Sequence, residues 1–184
     1  MKNIIRNKNK QKRAAMSKND VEAKSYQASK IFLDSDIYKA SMNMMLYMPL
    51  GNEISTTHII KDAYLKGKTV LVPVTDKETY EISAHRILEE SKFEKGIFSL
   101  TEPKEKDLFD KSKIDTIIVP GITFDKKGAR IGFGKGCYDK FLKNVSAIKI
   151  GYCYDFQLEN YIEADPFDVE MDYILTEKEL IKCK

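Results

Sequence analysis

One segment constrains the fold more than any other: an apolar strand that leads into a glycine-rich loop and then a helix. The strand is Asp115-Thr116-Ile117-Ile118-Val119, and glycines follow at positions 132, 134 and 136. A continuous apolar run rich in β-branched residues is typical of a strand buried in a parallel sheet. Residues 138–143 have the pattern of an amphipathic helix. This order of strand, loop and helix predicts an α/β fold.

The rest of the chain also alternates between helical and strand patterns. Helices are predicted at residues 3–16, after the N-cap Ser17, and at 58–66; strands are predicted at 42–48, 69–74, 79–87, 147–153 and 172–175. This alternation favours one domain over residues 1–184, with a mostly parallel, Rossmann-like sheet and helices on both faces. Residues 91–113 have a loop-like composition. Thr176 and Glu179 have the spacing of a capping box, which predicts a final helical turn.

The glycine-rich loop has the composition of a phosphate-binding site. Glycines at every second position allow positive φ and leave backbone N–H groups accessible to an anion, to which a following helix N-terminus adds partial positive charge. Arg130 and Lys135 add two full charges. A plain surface loop is the alternative, but the position between strand and helix favours a phosphate cradle. The loop matches neither of the common nucleotide-binding motifs. A Gly-x-Gly-x-x-Gly motif would need glycine in place of Cys137, and a Walker A motif would need Ser or Thr in place of Gly136.

Charge is concentrated at the N-terminus. The net charge of +3 is too small to indicate nucleic-acid binding, yet residues 1–18 contain seven Lys or Arg and no acid. Helical spacing places Lys2, Arg6, Lys10 and Arg13 on one face. That face favours an anionic partner, but on charge alone a solvated basic helix is the better explanation.

Cysteine content and hydropathy indicate the compartment. The three cysteines are an odd number without metal-ligand spacing, which fits free thiols in a reducing environment. No apolar run approaches membrane-spanning length, and the N-terminus lacks the apolar region of a signal peptide. A cytoplasmic protein without a membrane partner is therefore expected.

Several motifs together resemble the 5-formyltetrahydrofolate cyclo-ligase family, also called methenyltetrahydrofolate synthetase. They occur in the family's order across nearly the whole chain: Lys2-Asn3-Ile4-Ile5-Arg6, Asn52-Glu53-Ile54-Ser55-Thr56, Pro120-Gly121-Ile122-Thr123-Phe124-Asp125, Arg130-Ile131-Gly132-Phe133-Gly134-Lys135-Gly136-Cys137-Tyr138-Asp139 and Asp168-Val169-Glu170-Met171-Asp172. The resemblance implies an ATP- and Mg²⁺-dependent ring closure that converts 5-formyltetrahydrofolate to 5,10-methenyltetrahydrofolate. It implies small-molecule partners and no nucleic acid, and it leaves the oligomeric state open.

The resemblance also implies roles for individual residues. Arg130 and Lys135 would act on the phosphates during catalysis. ATP would be bound by Lys2, Asn3, Ile4, Ile5, Arg6, Arg130, Ile131, Gly132, Phe133, Gly134, Lys135, Gly136, Cys137 and Tyr138. The folate would be bound by Arg6, Met48, Glu53, Phe98, Phe133, Gly134, Lys135, Gly136 and Cys137. Mg²⁺ would be bound by Asp139 and Asp172.

Five of these residues have a structural alternative. Asp139 could interact with the helix dipole from the first turn of a helix, Asp172 could cap the last strand, and Glu53 could be an ordinary loop residue. Met48 and Phe98 could be core residues. Two departures from the family's pattern also stand in the loop, where Cys137 replaces an aromatic residue and Phe133 a basic residue or tyrosine.

Two other functions remain open. A non-catalytic binder of nucleotide or folate would keep the same site without turnover. An RNA-contacting module would use the basic N-terminus and show salt-dependent binding, but the sequence lacks a base-reading platform.

Overall fold

The computed structural model describes residues 2–183. Within them the α-helices are α1 Lys2–Ala14, α2 Lys18–Leu33, α3 Asp36–Ala40, α4 Thr57–Leu65 and α5 Cys137–Leu142. The strands are β1 Asn43–Met45, β2 Thr69–Thr75, β3 Ile82–Ile87, β4 Phe93–Lys95, β5 Thr101–Pro103, β6 Asp107–Leu108, β7 Thr116–Pro120, β8 Thr123–Asp125, β9 Arg130–Ile131, β10 Ile148–Tyr152, β11 Leu158–Glu159, β12 Tyr173–Leu175 and β13 Leu180–Lys182.

The centre of the molecule is an eight-stranded sheet with the order β13-β12-β10-β7-β1-β2-β3-β6. The five strands from β12 to β2 are parallel. At the edges, β13 is antiparallel to β12 and β3 is antiparallel to β2, while β6 pairs antiparallel with β3 and so runs in the direction of the parallel strands. The predicted α/β fold with a mostly parallel sheet is therefore confirmed. After β1 the chain adds β2 on one side and β7 on the other, so a topological switch point lies between β1 and β7. Ligands of open α/β sheets bind at such points.

Both faces of the sheet are covered because neighbouring residues of each strand point in opposite directions. Met44 packs with Phe32 and Ile59 of the helices α2 and α4. Met45 packs with Phe124 of β8 and Phe141 of α5 on the other face. No helix within residues 2–183 is both long and apolar enough to cross a membrane.

A smaller sheet, β11-β8-β9, supports the N-terminal helix. Asn9 of α1 is buried and donates a hydrogen bond from Nδ2 to Thr123 Oγ1 at 2.8 Å. Ile5 packs against a small cluster formed by Ala129, Ile131 and Ile162. These contacts place the other side of α1 along the loop that follows β9.

The predicted final helical turn is wrong. Thr176 Oγ1 does accept hydrogen bonds from the backbone N–H groups of Lys178 and Glu179, at 3.2 and 3.3 Å. The chain then continues as β13, with Leu180 opposite Leu175 of β12. An open sheet edge offers residues 180–182 a ladder of backbone hydrogen bonds that one helical turn lacks. The segment predicted as loop at 91–113 likewise contains the hairpin β4–β5 and the edge strand β6.

Candidate active site

The glycine loop between β9 and α5 depends on the absence of side chains. Gly134 and Gly136 have φ values of +100° and +67°, a conformation in which other residues are strained. A Cβ on Gly132 would lie 2.8 Å from Arg130 Nη1, so glycine there lets the arginine pack beneath the loop. The loop conformation that the glycine spacing predicts is present in the structure.

The two cations of the loop have different environments. The Arg130 side chain is only 5% exposed, and its Nη2 lies 2.7 Å from Asp139 Oδ1. Its Nη1 donates to the carbonyl oxygen of Pro120 at 3.3 Å. Lys135, in contrast, is exposed. Arg130 therefore ties the loop to the end of β7 and to α5, whereas Lys135 is accessible to a ligand.

The basic face of α1 lies along the same loop. Arg6 donates from Nε to the carbonyl oxygen of Gly132 at 3.0 Å and also bonds to Asn3 Oδ1. Lys10 Nζ lies 6.0 Å from the ring centroid of Phe133. The four-residue spacing that predicted a common face thus brings this face onto the glycine loop.

The side chains at the start of α1 have three different environments: an ion pair, solvent and a small apolar cluster. Lys2 Nζ binds the carboxylates of Asp165 and Asp168 at 2.7 and 3.2 Å, in the connector before β12. Ile4 is 74% exposed, and Ile5 packs into the small cluster under the helix. The side chain of Ile5 is therefore used for packing, whereas that of Ile4 is open to solvent.

Glu53 lies in the loop after β1 and is paired with Arg13 of α1. Arg13 Nη1 lies 3.6 Å from Glu53 Oε1, and the two side chains are 14% and 7% exposed. Glu53 Oε2 accepts a hydrogen bond from the N–H of Leu50 at 2.9 Å. Burial raises the pKa of Glu53, while Arg13 and the Leu50 amide oppose that shift. Arg13 also lies with its guanidinium carbon 5.8 Å from the Phe133 ring centroid.

Arg13 had no role in the sequence-based assignment, although its position on the basic face was a usable signal. It lines a narrow cleft at the switch point, which it shares with Tyr47, Glu53, Pro120, Gly121 and Gln157. It also lines an open groove of about 390 Å³ between α1 and the loop after β1. A groove of that volume suits a small ligand. Arg13 therefore separates an outer groove from the inner cleft.

The other residues predicted to bind ATP or folate differ in how deeply they are buried. Met48 packs partly buried against the core, as its structural alternative predicts. Phe98 is 48% exposed and so does not follow its core alternative. Ile131 is buried, and Cys137 Sγ lies 3.9 Å from the carbonyl oxygen of Lys135. The ring of Tyr138 faces the guanidinium of Arg130, with 5.8 Å between ring centroid and carbon.

The structure does not bring the two proposed metal ligands together. Asp139 Oδ1 faces Arg130 and the N–H of Val169, the latter at 3.4 Å. Asp172 lies just before β12, and its Oδ2 accepts a hydrogen bond at 2.8 Å from the N–H of Lys149, near the start of the parallel strand β10. That end of the sheet is opposite to the switch point. Between residues 2 and 183, no three or more His, Cys, Asp or Glu side chains form a group that could hold a metal.

These features define a class of protein: an α/β ligand-binding protein with a cationic glycine loop and a buried carboxylate at its switch point. The model of the 5-formyltetrahydrofolate cyclo-ligase family matches residues 1–177. The chain belongs to this family, and it is accordingly an enzyme of the ligase class.

Individual relatives agree with this assignment. The 5-formyltetrahydrofolate cyclo-ligase of Haemophilus influenzae is 30% identical over 143 residues, which cover 74% of this chain and 76% of the relative. The NMR structure of Aquifex aeolicus 5,10-methenyltetrahydrofolate synthetase has a TM-score of 0.87 and 32% identity, covering 100% of this chain and 93% of that chain. A 5,10-methenyltetrahydrofolate synthetase structure from Mycoplasma pneumoniae has a TM-score of 0.76 and 26% identity, with coverages of 96% and 98%.

Proposed function

We propose that the enzyme converts 5-formyltetrahydrofolate to 5,10-methenyltetrahydrofolate and releases ADP and phosphate from ATP. The observation that carries this proposal is the convergence of three parts of the chain at the switch point. These parts are the basic face of α1, the glycine loop and the buried Glu53. Family membership supports the substrate class, and the convergence of these three parts supports neighbouring sites for phosphate and folate.

The glycine loop and α1 suit the phosphates. Phosphoryl transfer depends on alignment and charge neutralisation more than on a protein nucleophile. Lys135 and Arg6 would hold phosphate oxygens beside the loop amides, and Arg130 would keep the loop in place through Pro120 and Asp139. The formyl oxygen of the folate attacks the terminal phosphorus, and ADP leaves.

Glu53 suits the pterin end of the folate. An ionised carboxylate accepts hydrogen bonds from ring N–H groups, and Arg13 favours the ionised form. With the ring held this way, the N10 amine attacks the activated formyl carbon. The C–N bond forms, N10 loses its proton, and the former formyl oxygen leaves as part of the phosphate, which takes up that proton.

Asp139 fits a Mg²⁺ site better than Asp172 does. Mg²⁺ is commonly bound by one or two carboxylates together with substrate phosphates. Asp139 is 22% exposed at the end of the glycine loop, and Arg130 and Val169 both bond to the same oxygen, Oδ1. A bound Mg²⁺ would neutralise charge on the phosphates. Asp172, engaged with the Lys149 amide, stays a prediction from the resemblance.

Substitution of Asp139 tests this assignment. We expect Asp139→Asn to raise the Mg²⁺ concentration for half-maximal rate by about tenfold, because one anionic ligand is lost. Asp172→Asn serves as the matched variant, and its titration should follow wild type if that carboxylate only joins β10 to β12. Thermal melting of each variant reports any stability lost with the Arg130–Asp139 contact or with the Lys149–Asp172 hydrogen bond. An unchanged titration in Asp139→Asn would remove this residue from the metal site.

The reaction itself is tested with purified protein, 5-formyltetrahydrofolate, ATP and Mg²⁺. The expected result is methenyl absorbance that appears only with ATP, with one ADP formed per product. Folate or nucleotide binding without product would favour the non-catalytic binder instead.

We also propose that the enzyme is located in the cytoplasm. This proposal is supported by Cys137 and Cys153, neither of which forms a disulfide.

A further inference from the structure

Two exposed aromatic rings face each other beside the glycine loop. Tyr80 lies at the turn between β2 and β3, and Phe98 lies at the turn between β4 and β5. Their ring centroids are 5.9 Å apart with an interplanar angle of 20°, although 40% of Tyr80 and 48% of Phe98 remain exposed. Each ring of this stacked pair, here called the aromatic platform, thus keeps an apolar surface that the core does not cover.

Both rings are presented by backbone that is unfavourable for their side chains. Tyr80 has a φ of +58° and Phe98 a φ of +54°, and Ser99 follows at +60°. Within residues 2–183 these three are the non-glycine residues with positive φ. Such conformations are concentrated at functional sites, because selection for folding alone favours glycine or asparagine there. Strain in two separate turns that meet at one platform therefore indicates a use for the rings.

The platform is connected to the glycine loop through Lys135. The Lys135 ammonium lies 5.9 Å from the Tyr80 centroid and 6.0 Å from the Phe98 centroid. A cation this close to two aromatic faces is weakly stabilised by them, and a phosphate is a stronger partner for it. Lys135, which is proposed to bind phosphate, therefore lies against the platform. A ligand on the platform would be next to Lys135.

We propose that Tyr80 is a further substrate-binding residue: with Phe98 it forms a platform on which a planar ring of the reduced folate stacks while Lys135 moves to the phosphates. The inference rests on the proposed function. The two rings already contact each other, so the ligand stacks on their exposed surface rather than between them. Offset stacking on aromatic faces suits the pterin and benzoyl groups of a folate.

A tryptophan reporter tests binding directly. The chain contains no tryptophan, so Tyr80→Trp introduces a single indole at the platform. We expect its fluorescence to change when 5-formyltetrahydrofolate is added with ADP and Mg²⁺, and to saturate with folate concentration. Tyr26→Trp, at a tyrosine 51% exposed on α2, corrects for light absorbed by the ligand. Equal signals in the two variants would overturn the proposal.

Kinetics separate a binding role from a structural one. We expect Tyr80→Leu and Tyr80→Gly to raise the KM for the folate by about three- to tenfold, with the KM for ATP unchanged and Tyr80→Phe close to wild type. Glycine adopts positive φ without strain, so Tyr80→Gly should melt no lower than wild type even though it binds folate more weakly. A residue that served folding alone would give lower stability without a selective effect on the folate KM.

The two proposals fail in different ways. Wild-type protein that never forms the methenyl product would overturn the proposed function, whatever the Trp reporter shows. Normal wild-type turnover together with unchanged folate KM in Tyr80→Leu and Tyr80→Gly would overturn the platform and leave the proposed function standing.

Discussion

Replacement of Lys135 by alanine is expected to lower kcat by about 10²- to 10³-fold, the loss typical of removing one positioned charge from a transition state. Lys135 is exposed, and its ammonium contacts the faces of Tyr80 and Phe98 rather than a buried carboxylate. The variant should therefore melt at the wild-type temperature. The measurement is the rate of methenyl formation at saturating folate, ATP and Mg²⁺.

The control is another exposed lysine of the same region. Lys143 lies just after α5 and is exposed, so Lys143→Ala removes the same charge from the chain without touching the loop. It should retain wild-type kcat. A Lys135→Ala enzyme that retained near-normal kcat would show that the glycine loop does not bring a cation to the reacting phosphate.

Replacement of Arg13 by methionine is expected to destabilise the protein by about 3 kcal/mol near neutral pH, because it leaves a buried carboxylate without its counter-ion. Arg13 and Glu53 are 14% and 7% exposed, so water screens the pair weakly. Methionine keeps much of the side-chain volume and removes the charge. The free energy of unfolding is measured by denaturant titration.

The stability lost in Arg13→Met is expected to depend on pH with a defined sign. Burial already raises the pKa of Glu53 above its value in the unfolded chain. The folded state then binds more protons than the unfolded state between those two pKa values, so stability falls as pH rises through that window. Loss of Arg13 raises the folded pKa further and widens the window. The deficit of Arg13→Met relative to wild type should therefore shrink as the pH is lowered from about 8 to about 5.

A double variant isolates the charge effect from lost packing. Arg13→Met combined with Glu53→Gln removes both charges, and it should recover most of the lost stability and remove the added pH dependence. Glu53→Gln alone completes the double-mutant cycle of wild type, the two single variants and the double variant. If the double variant were as unstable as Arg13→Met, with the same pH profile, then packing of the arginine stem on Phe133 would explain the loss instead.

The elements predicted most accurately depend on local interactions. Ser17 caps α2 by accepting a hydrogen bond from the Asp20 N–H, as its spacing predicted. Gly67, with φ +68°, follows the end of α4. Cap and C′ glycine interactions form within four residues, so the sequence contains all the groups that make them.

Elements at the sheet edges could not be found in the same way. The hydrogen bonds expected of Thr176 do form, yet β12 at the edge of the sheet recruits residues 180–182 as a strand. The short hairpin β4–β5 has only three residues in each strand, too few for a clear alternation of polar and apolar positions. In both cases the partner strand, rather than the segment's own pattern, decides the conformation.

The sequence by itself determined the alternation of helices and strands, the positive φ values allowed by the loop glycines, and the common face of Lys2, Arg6, Lys10 and Arg13. These depend on periodicity and on backbone freedom, which are properties of consecutive residues. Only the tertiary structure decided that Arg13 neutralises Glu53 and that Tyr80 stacks on Phe98 beside Lys135. Those partners lie far apart in the chain, and their contact requires the strand order that brings the turns and α1 together at one edge of the sheet.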